Sequence, residues 1–460
     1  MPAADLVVTG ARVVTPTGER PGAVVVRDGR IAEVVAPERA PAAARRVDAE
    51  SALILPGLVD THVHVNDPGR TDWEGWATAA RAAAAGGVTT LVDMPLNSIP
   101  ATTSVAALQA KARAATGQSL VDYGFWGGVV PGNQDDLHAL LDAGVLGFKC
   151  FLVPSGVDEF AHVTERELRP AMQSLAERDA VLLAHCELPG PIERATAAAR
   201  GDPRRYATWL ATRPPEAELE AIDLLLALAR DTGCRVHVVH LATAAGLELV
   251  AAARAAGVRV SVETCPHYLT FAAEEIADGA TAFKCAPPIR DRANRERLWA
   301  GLRGGAIDLV ATDHSPAPPG LKCLESGNFL SAWGGVASLE VALAALWTGA
   351  RGRGATPVDL ARWLCEGPAR LARLDRKGRI APGCDADLVV FDPDATFTVD
   401  AARLHQRHKV TPYEGLTLAG MVRQTFVRGT LVYEDGRFRG PVAGQWLQGG
   451  KGEAGSVSSR

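Results

Sequence analysis

The strongest constraint on this chain is an alternation. From about residue 54 to about residue 375, short β-rich runs take turns with Ala- and Leu-rich helical stretches, a pattern that predicts parallel βα units. Eight strand candidates can be read: LVDTHVHV (58–65), VTTLVDM (88–94), YGFWGGVV (123–130), VLGFKCF (145–151), AVLLAHC (180–186), RVHVVHL (235–241), VRVSVET (258–264) and IDLVATD (307–313). Eight such units make a (β/α)8 barrel. The stretches between them, such as WATAARAAAAGG and LEAIDLLLALAR, are apolar enough to sheath it. The predicted class is α/β, a TIM-like barrel with an attachment.

The attachment is written at both ends. LVVTGARVV, AVVVRDG and RIAEVVA near the start, and GRIAPGCDADLVVFDP and TFVRGTLVYEDGRF near the end, alternate apolar residues and break at Thr-Gly, Asp-Gly and Arg-Gly turns. Two distant β segments of this texture can complete one sheet. The predicted division is 1–53 for its first half, 54–375 for the barrel, 376–445 for its second half, and 446–460 as a Gly/Ser/Lys-rich disordered tail. Gly334 to Ala350 reads as a core helix, too short and too interrupted by Glu340 to span a membrane. With 48 basic against 53 acidic residues and a net charge of −5, there is no field to hold nucleic acid or anionic lipid. The eight cysteines never form C-x-x-C, and MPAADLVVTG lacks a basic-then-apolar leader, so free thiols and a cytoplasmic location are expected.

A barrel of this kind places its chemistry at the C-terminal ends of its strands. Residues of ligand type do fall there: His62 and His64, Lys149, His185, His240 and Asp313. His62 and His64, two apart on a strand, share a face. Such a pair alone is as often two satisfied histidines as a metal site, but four more candidates at the same rim shift the balance toward a borderline divalent ion. Lys149 admits two readings: an ammonium paired with a carboxylate, or a neutral amine that has reacted with CO2 to give an anionic carbamate able to bridge two ions. His237, three before His240, is expected on the opposite face as packing. His267 and His314 are expected to be structural, and His138, His162, His405 and His408 to lie at the surface. Cys150, Cys186 and Cys265 should turn into the helix layer.

The segments PGLVDTHVHVNDPGRTDWEGW, GGVTTLVDMPLNSIP, GFKCFLVPSGVDEF, ETCPHYLTF, KCAPPIRD, IDLVATDHSP and AWGGVASLE, with GRIAPGCDADLVVF and HKVTPYEG, cover nearly the whole chain. In them the chain resembles the amidohydrolase superfamily, and within it the cyclic amidohydrolases that open lactam rings. The resemblance implies a barrel flanked by a β-sandwich built from both chain ends, a homotetramer, and two divalent metal ions, zinc first, with cobalt, manganese or iron also suited. It implies that His62, His64 and Asp313 hold one ion, that His185 and His240 hold the other, and that carboxylated Lys149 bridges them. A hydroxide bridging the ions would attack the ring carbonyl, and Asp313 would carry the proton to the departing nitrogen. Dihydroorotases of this superfamily grip a substrate carboxylate with an Arg where Asn66 stands, so a small neutral ureide is expected. Its contacts are expected at Asn97, Phe151 and the backbone near Cys285 and Ala286. Asp67, where Glu is usual, and LATAAG (241–246) depart from the common pattern at the rim loops. A hydantoinase or dihydropyrimidinase activity is the alternative, and a non-catalytic scaffold is disfavoured because all six ligand positions are kept.

Overall fold

The computed structural model describes residues 4–442 and 444–449. Its barrel strands are Leu58–Val63, Val88–Asp93, Asp122–Phe125 continued by Gly127–Gly128, Phe148–Phe151, Val181–His185, Arg235–Val238, Val260–Thr264 and Leu309–Val310. All pair in parallel, and Val63 bridges His314 to close the ring between the last strand and the first. The eight expected strands are all present, shorter than their apolar runs. The third is broken at Trp126, whose indole N–H donates to the Thr61 carbonyl at 2.8 Å.

Alternation sorts the barrel's side chains into two layers. Val181 and Leu183 share the face of His185, Leu309 and Ala311 that of Asp313, and these four join Val92 and Trp126 in one cluster that fills the barrel interior beneath the site. Cys150, Cys186 and Cys265 pack in the helix layer instead, as expected. Among the described residues all eight thiols are free, and no helix is long and apolar enough to cross a membrane.

The terminal segments form a nine-stranded sheet of the β-sandwich domain, in which Leu53–Pro56 joins Ala4–Thr15 on one side and Leu388–Thr398 on the other. The predicted boundary at residue 54 therefore falls inside a sandwich strand, and the chain enters the barrel only at Gly57. A Cβ on that glycine would stand 2.2 Å from Thr89 Oγ1, so only glycine fits the crossing. Asp28-Gly29, Arg428-Gly429 and Asp435-Gly436 each take positive φ at both residues between directly paired neighbours, the two-residue hairpins that the turn signals predict.

Two expectations are corrected. Residues 446–449 are not a loose tail: Leu447 N–H donates to the Tyr123 carbonyl at 2.7 Å, Gly449 N–H to that of Gly144 at 3.1 Å, and Trp446 packs edge-on against Phe125. A segment short in apolar residues still orders when a neighbouring strand offers unpaired backbone groups and one indole finds an aromatic partner. Residues 450–460 of the expected tail lie outside the described ones. The helix read from Gly334 begins only at Ala342, and the preceding residues form a loop that walls the site. A Cβ on Gly335 would meet the Ser315 carbonyl oxygen at 2.2 Å, and Lys322 clamps the carbonyls of Trp333 and Gly335 at 2.9 and 2.8 Å.

Candidate metal centre

All six ligand-type residues meet at the C-terminal mouth of the barrel. His62 Nε2 and His64 Nε2 lie 3.4 and 3.5 Å from the same Asp313 oxygen, and the ring of His240 lies 5.3 Å from that of His62 and 4.6 Å from that of His185. Ligand atoms of His62, His240 and Asp313 fall within 4.8 Å of one another. His240 (φ 38°) and Asp313 (φ 44°) sit in the left-handed region just past their strands. Backbone strain of this kind is costly for a non-glycine residue and is concentrated at functional sites. At His240 it also undoes the expected opposition to His237, because the turned backbone brings both side chains to the interior.

His237 is not mere packing. Its Nε2 lies 3.0 Å from Glu263 Oε2 and its Nδ1 2.8 Å from Ser261 Oγ, while Glu263 Oε1 accepts from His62 Nδ1 at 2.5 Å. This leaves the His62 Nε2 lone pair for an ion, the usual job of a carboxylate behind a metal-binding histidine. Burial alone would raise the Glu263 pKa, but the charge of His62 and the hydrogen bonds from both imidazoles hold it down at about 2. His185 has a matching arrangement: its Nε2 meets Glu187 Oε2 at 2.8 Å, which also accepts from Arg213 at 3.0 Å, so Nδ1 faces the site. Glu263, Glu187 and Arg213 escaped the sequence reading. The available signal was spacing, since Glu187 follows His185 by two, and Glu263 is the last residue but one of the seventh strand.

Lys149 is buried at 1% exposure, and among the described residues nothing hydrogen-bonds its ammonium. The salt-bridge reading of this lysine is therefore the one the structure does not support. Burial pushes it down to about 8 despite the attraction of Glu263 and Asp313. An orphaned buried amine costs several kcal/mol of lost solvation. A carbamate bridging dications would resolve that, so the side chains present fit a pair of metal ions. Burial likewise lowers His64 to about 4 and His240 well below its usual value, keeping both rings neutral and able to coordinate. Asp313, although desolvation opposes it, is held far below the carboxylate range by His62 and His64.

The cavity over these groups measures about 250 Å3, under the roughly 300–1,000 Å3 of drug-sized pockets, and suits a small ring. Asn97, Phe151 and Ala286 line it, with Asn97 bonded to His64 Nδ1 at 3.3 Å and Phe151 stacked on His185 at 4.6 Å. Cys285 does not line it; its side chain points into the helix layer, where burial raises the thiol to about 12. Trp209, Arg213, Lys284 and Trp333 complete the walls. His314 is structural, its Nδ1 accepting the backbone N–H groups of Ser338 and Leu339. His267 is buried with neither ring nitrogen bonded among the described residues.

A parallel barrel with imidazoles, a carboxylate and an unpaired amine at its strand ends has the build of a metal-dependent hydrolase, and comparison with known proteins agrees. The model of the amidohydrolase family matches residues 53–432, and the chain belongs to that family. It is 52% identical to the allantoinase of Streptomyces avermitilis over 95% of this chain and 97% of that one, and 43% identical to that of Arabidopsis thaliana over 95% and 90%. Within the family it stands on the allantoinase branch. Among solved structures, the L-hydantoinase of Arthrobacter aurescens superimposes with a TM-score of 0.91 at 32% identity, covering 97% of this chain and 100% of that one.

Proposed function

We propose that the protein opens the cyclic amide of (S)-allantoin to give allantoate, with two divalent ions, zinc first, held by His62, His64, His185, His240 and Asp313 and bridged by carboxylated Lys149. The observation that carries this is the buried Lys149 amine, without a hydrogen-bond partner among the described residues and close to the imidazoles of His64, His185 and His240. With its ammonium already lowered to about 8, deprotonation at pH 7 costs about 1 kcal/mol rather than about 5. The neutral amine adds to CO2, forming an N–C bond and releasing one proton. Such ions, when bound, supply Lewis-acid polarisation of a carbonyl and a lowered pKa of water, from 15.7 toward about 7.

The chain's own residues do the rest. Asp313, ionised, accepts the proton of the attacking water and returns it to the departing ring nitrogen. Glu263 and Glu187 fix which nitrogen His62 and His185 present. Phe151 and the 331–335 loop wall the space in which the ring would sit. A neutral ureide is supported by Asn66, which stands 3.4 Å from the Pro316 carbonyl and offers no guanidinium for a carboxylate. A cytoplasmic, homotetrameric enzyme is also proposed, supported for the compartment by the eight free thiols.

The test is metal analysis of the wild type and Lys149→Ala, together with hydrolysis of allantoin, hydantoin and dihydrouracil. Two metals per chain, lost with the lysine, and preference for allantoin are expected. Full activity in Lys149→Ala would remove the bridge, and preference for hydantoin would move the enzyme to the hydantoinase reading that its structural neighbours suggest.

A further inference from the structure

The cavity wall also carries two cations, Lys284 and Arg213. Lys284 Nζ donates to the carbonyls of Leu330 and Ala332 at 3.2 and 2.6 Å, and stands 4.2 Å from the centre of the Trp209 ring. Among the described residues no carboxylate lies within ion-pairing distance of it, and two of its three N–H donors go to carbonyl oxygens while the indole face stands beside it. Arg213 approaches the same indole at 5.0 Å. It gives one N–H to Glu187, while its buried Nε has no partner among the described residues. Lys284 and Arg213 both line the cavity.

Partly desolvated cations left short of acceptors are expensive. The ring amide is committed to the imidazole side, where attack takes place. The cationic heads of Lys284 and Arg213 on the cavity wall therefore face whatever the ring carries. We propose that Lys284 and Arg213, bracketing Trp209, form a subsite that reads an oxygen-bearing substituent on the substrate ring. Resting on the proposed reaction, this assigns them to the carbonyl of the ureido arm of allantoin. The same chemistry admits a carboxylate arm. An acceptor in this place satisfies donors that an unsubstituted ring leaves bare, and sites built that way discriminate strongly against substrates lacking the acceptor.

The test compares kcat/KM of metal-loaded wild type, Lys284→Met and Lys284→Arg for allantoin and for unsubstituted hydantoin, with hydantoin-5-acetate as a competitive probe. In Lys284→Met the allantoin-to-hydantoin ratio is expected to fall about 10- to 100-fold, mainly through KM, and the inhibition constant of hydantoin-5-acetate to rise at least about tenfold. Lys284→Arg, which keeps the cation, should restore part of both. An equal loss on the two substrates, or an unchanged ratio, would overturn the subsite. Arg213→Met provides the second variant, read in the same ratio at equal metal content. If the wild type prefers hydantoin to allantoin, the proposed reaction fails, and the change in hydantoin-5-acetate affinity alone then decides the subsite.

Discussion

Glu263→Gln tests the reasoning about the site at its most buried point. The carboxylate is 0% exposed and accepts from His62 Nδ1 at 2.5 Å, from His237 Nε2 at 3.0 Å and from the His240 backbone N–H at 3.3 Å. Gln has the same shape but one acceptor oxygen. It can keep the bond to His62 if its amide donates to His237, whose ring then shifts its proton to Nδ1 and donates to Ser261 Oγ. The fold should therefore survive, while the charge behind His62 is lost. Second-layer carboxylates of this kind are worth about 10- to 100-fold in metal affinity, or about 1.4 to 2.7 kcal/mol. Competition with a chelator, read by metal content, should show that loss, and saturating metal should restore most activity. The acid limb gives a second reading. Because the folded pKa is depressed to about 2 from an ordinary 4.5, Glu263 stabilises the metal-free wild type above pH 4.5, and that contribution, roughly 3 kcal/mol, drains away as pH falls toward 2. The Glu263→Gln variant should lack this part of the acid transition. Metal affinity within about threefold of wild type, with an unchanged acid limb, would refute the role given to the carboxylate.

Two further outcomes follow from the same structure. Asp313→Asn should retain bound metal yet lose at least about a hundredfold in kcat, because an amide cannot shuttle the proton; an active, metal-loaded variant would remove Asp313 from that role. Lys377→Met should be destabilising by about 3–5 kcal/mol in denaturant titration, since Lys377 Nζ is the shared partner of Asp122, Asp385 and Asp387 at 2.6, 3.0 and 2.7 Å and its loss strands buried carboxylates; a change under about 1 kcal/mol would mean that these acids are neutral in the folded protein.

What the sequence made legible, and what it hid, divides along physical lines. Parallel strands buried on both faces read as apolar runs, and the rule that chemistry sits where those runs end located His62, His64, Lys149, His185, His240 and Asp313 without coordinates. Hairpins were legible because Asp-Gly and Arg-Gly report a local backbone requirement. Glu263, Glu187 and Arg213 were hidden because their work depends on which side chain faces which across neighbouring strands and loops, and a single acidic letter at a strand end carries no such information. The role of His237 was hidden by a backbone turn at His240 that breaks strict alternation. Neighbouring residues at a loop bend can face different layers, and so the Cys285 side chain packs away while Ala286 lines the cavity. Trp446 was hidden in a stretch whose composition resembles a tail.

The pairing that joins the two chain ends has a consequence for biosynthesis. Leu53 pairs in register with Phe391, 338 residues further along the chain. At ribosomal rates of about 5–20 residues per second, the edge of Leu53–Pro56 that later receives Leu388–Phe391 waits roughly 20 to 70 s for its partner to be made. During that interval it is an open, wholly apolar strand edge, LILP, the kind of surface that invites intermolecular pairing. Pro56 removes one backbone donor from it, and Gly57 ends the strand at once, which shortens the exposed template. Yield of the folded enzyme should therefore depend on translation speed and on chaperones that shield nascent β-strands, and far less on the stability of the finished barrel.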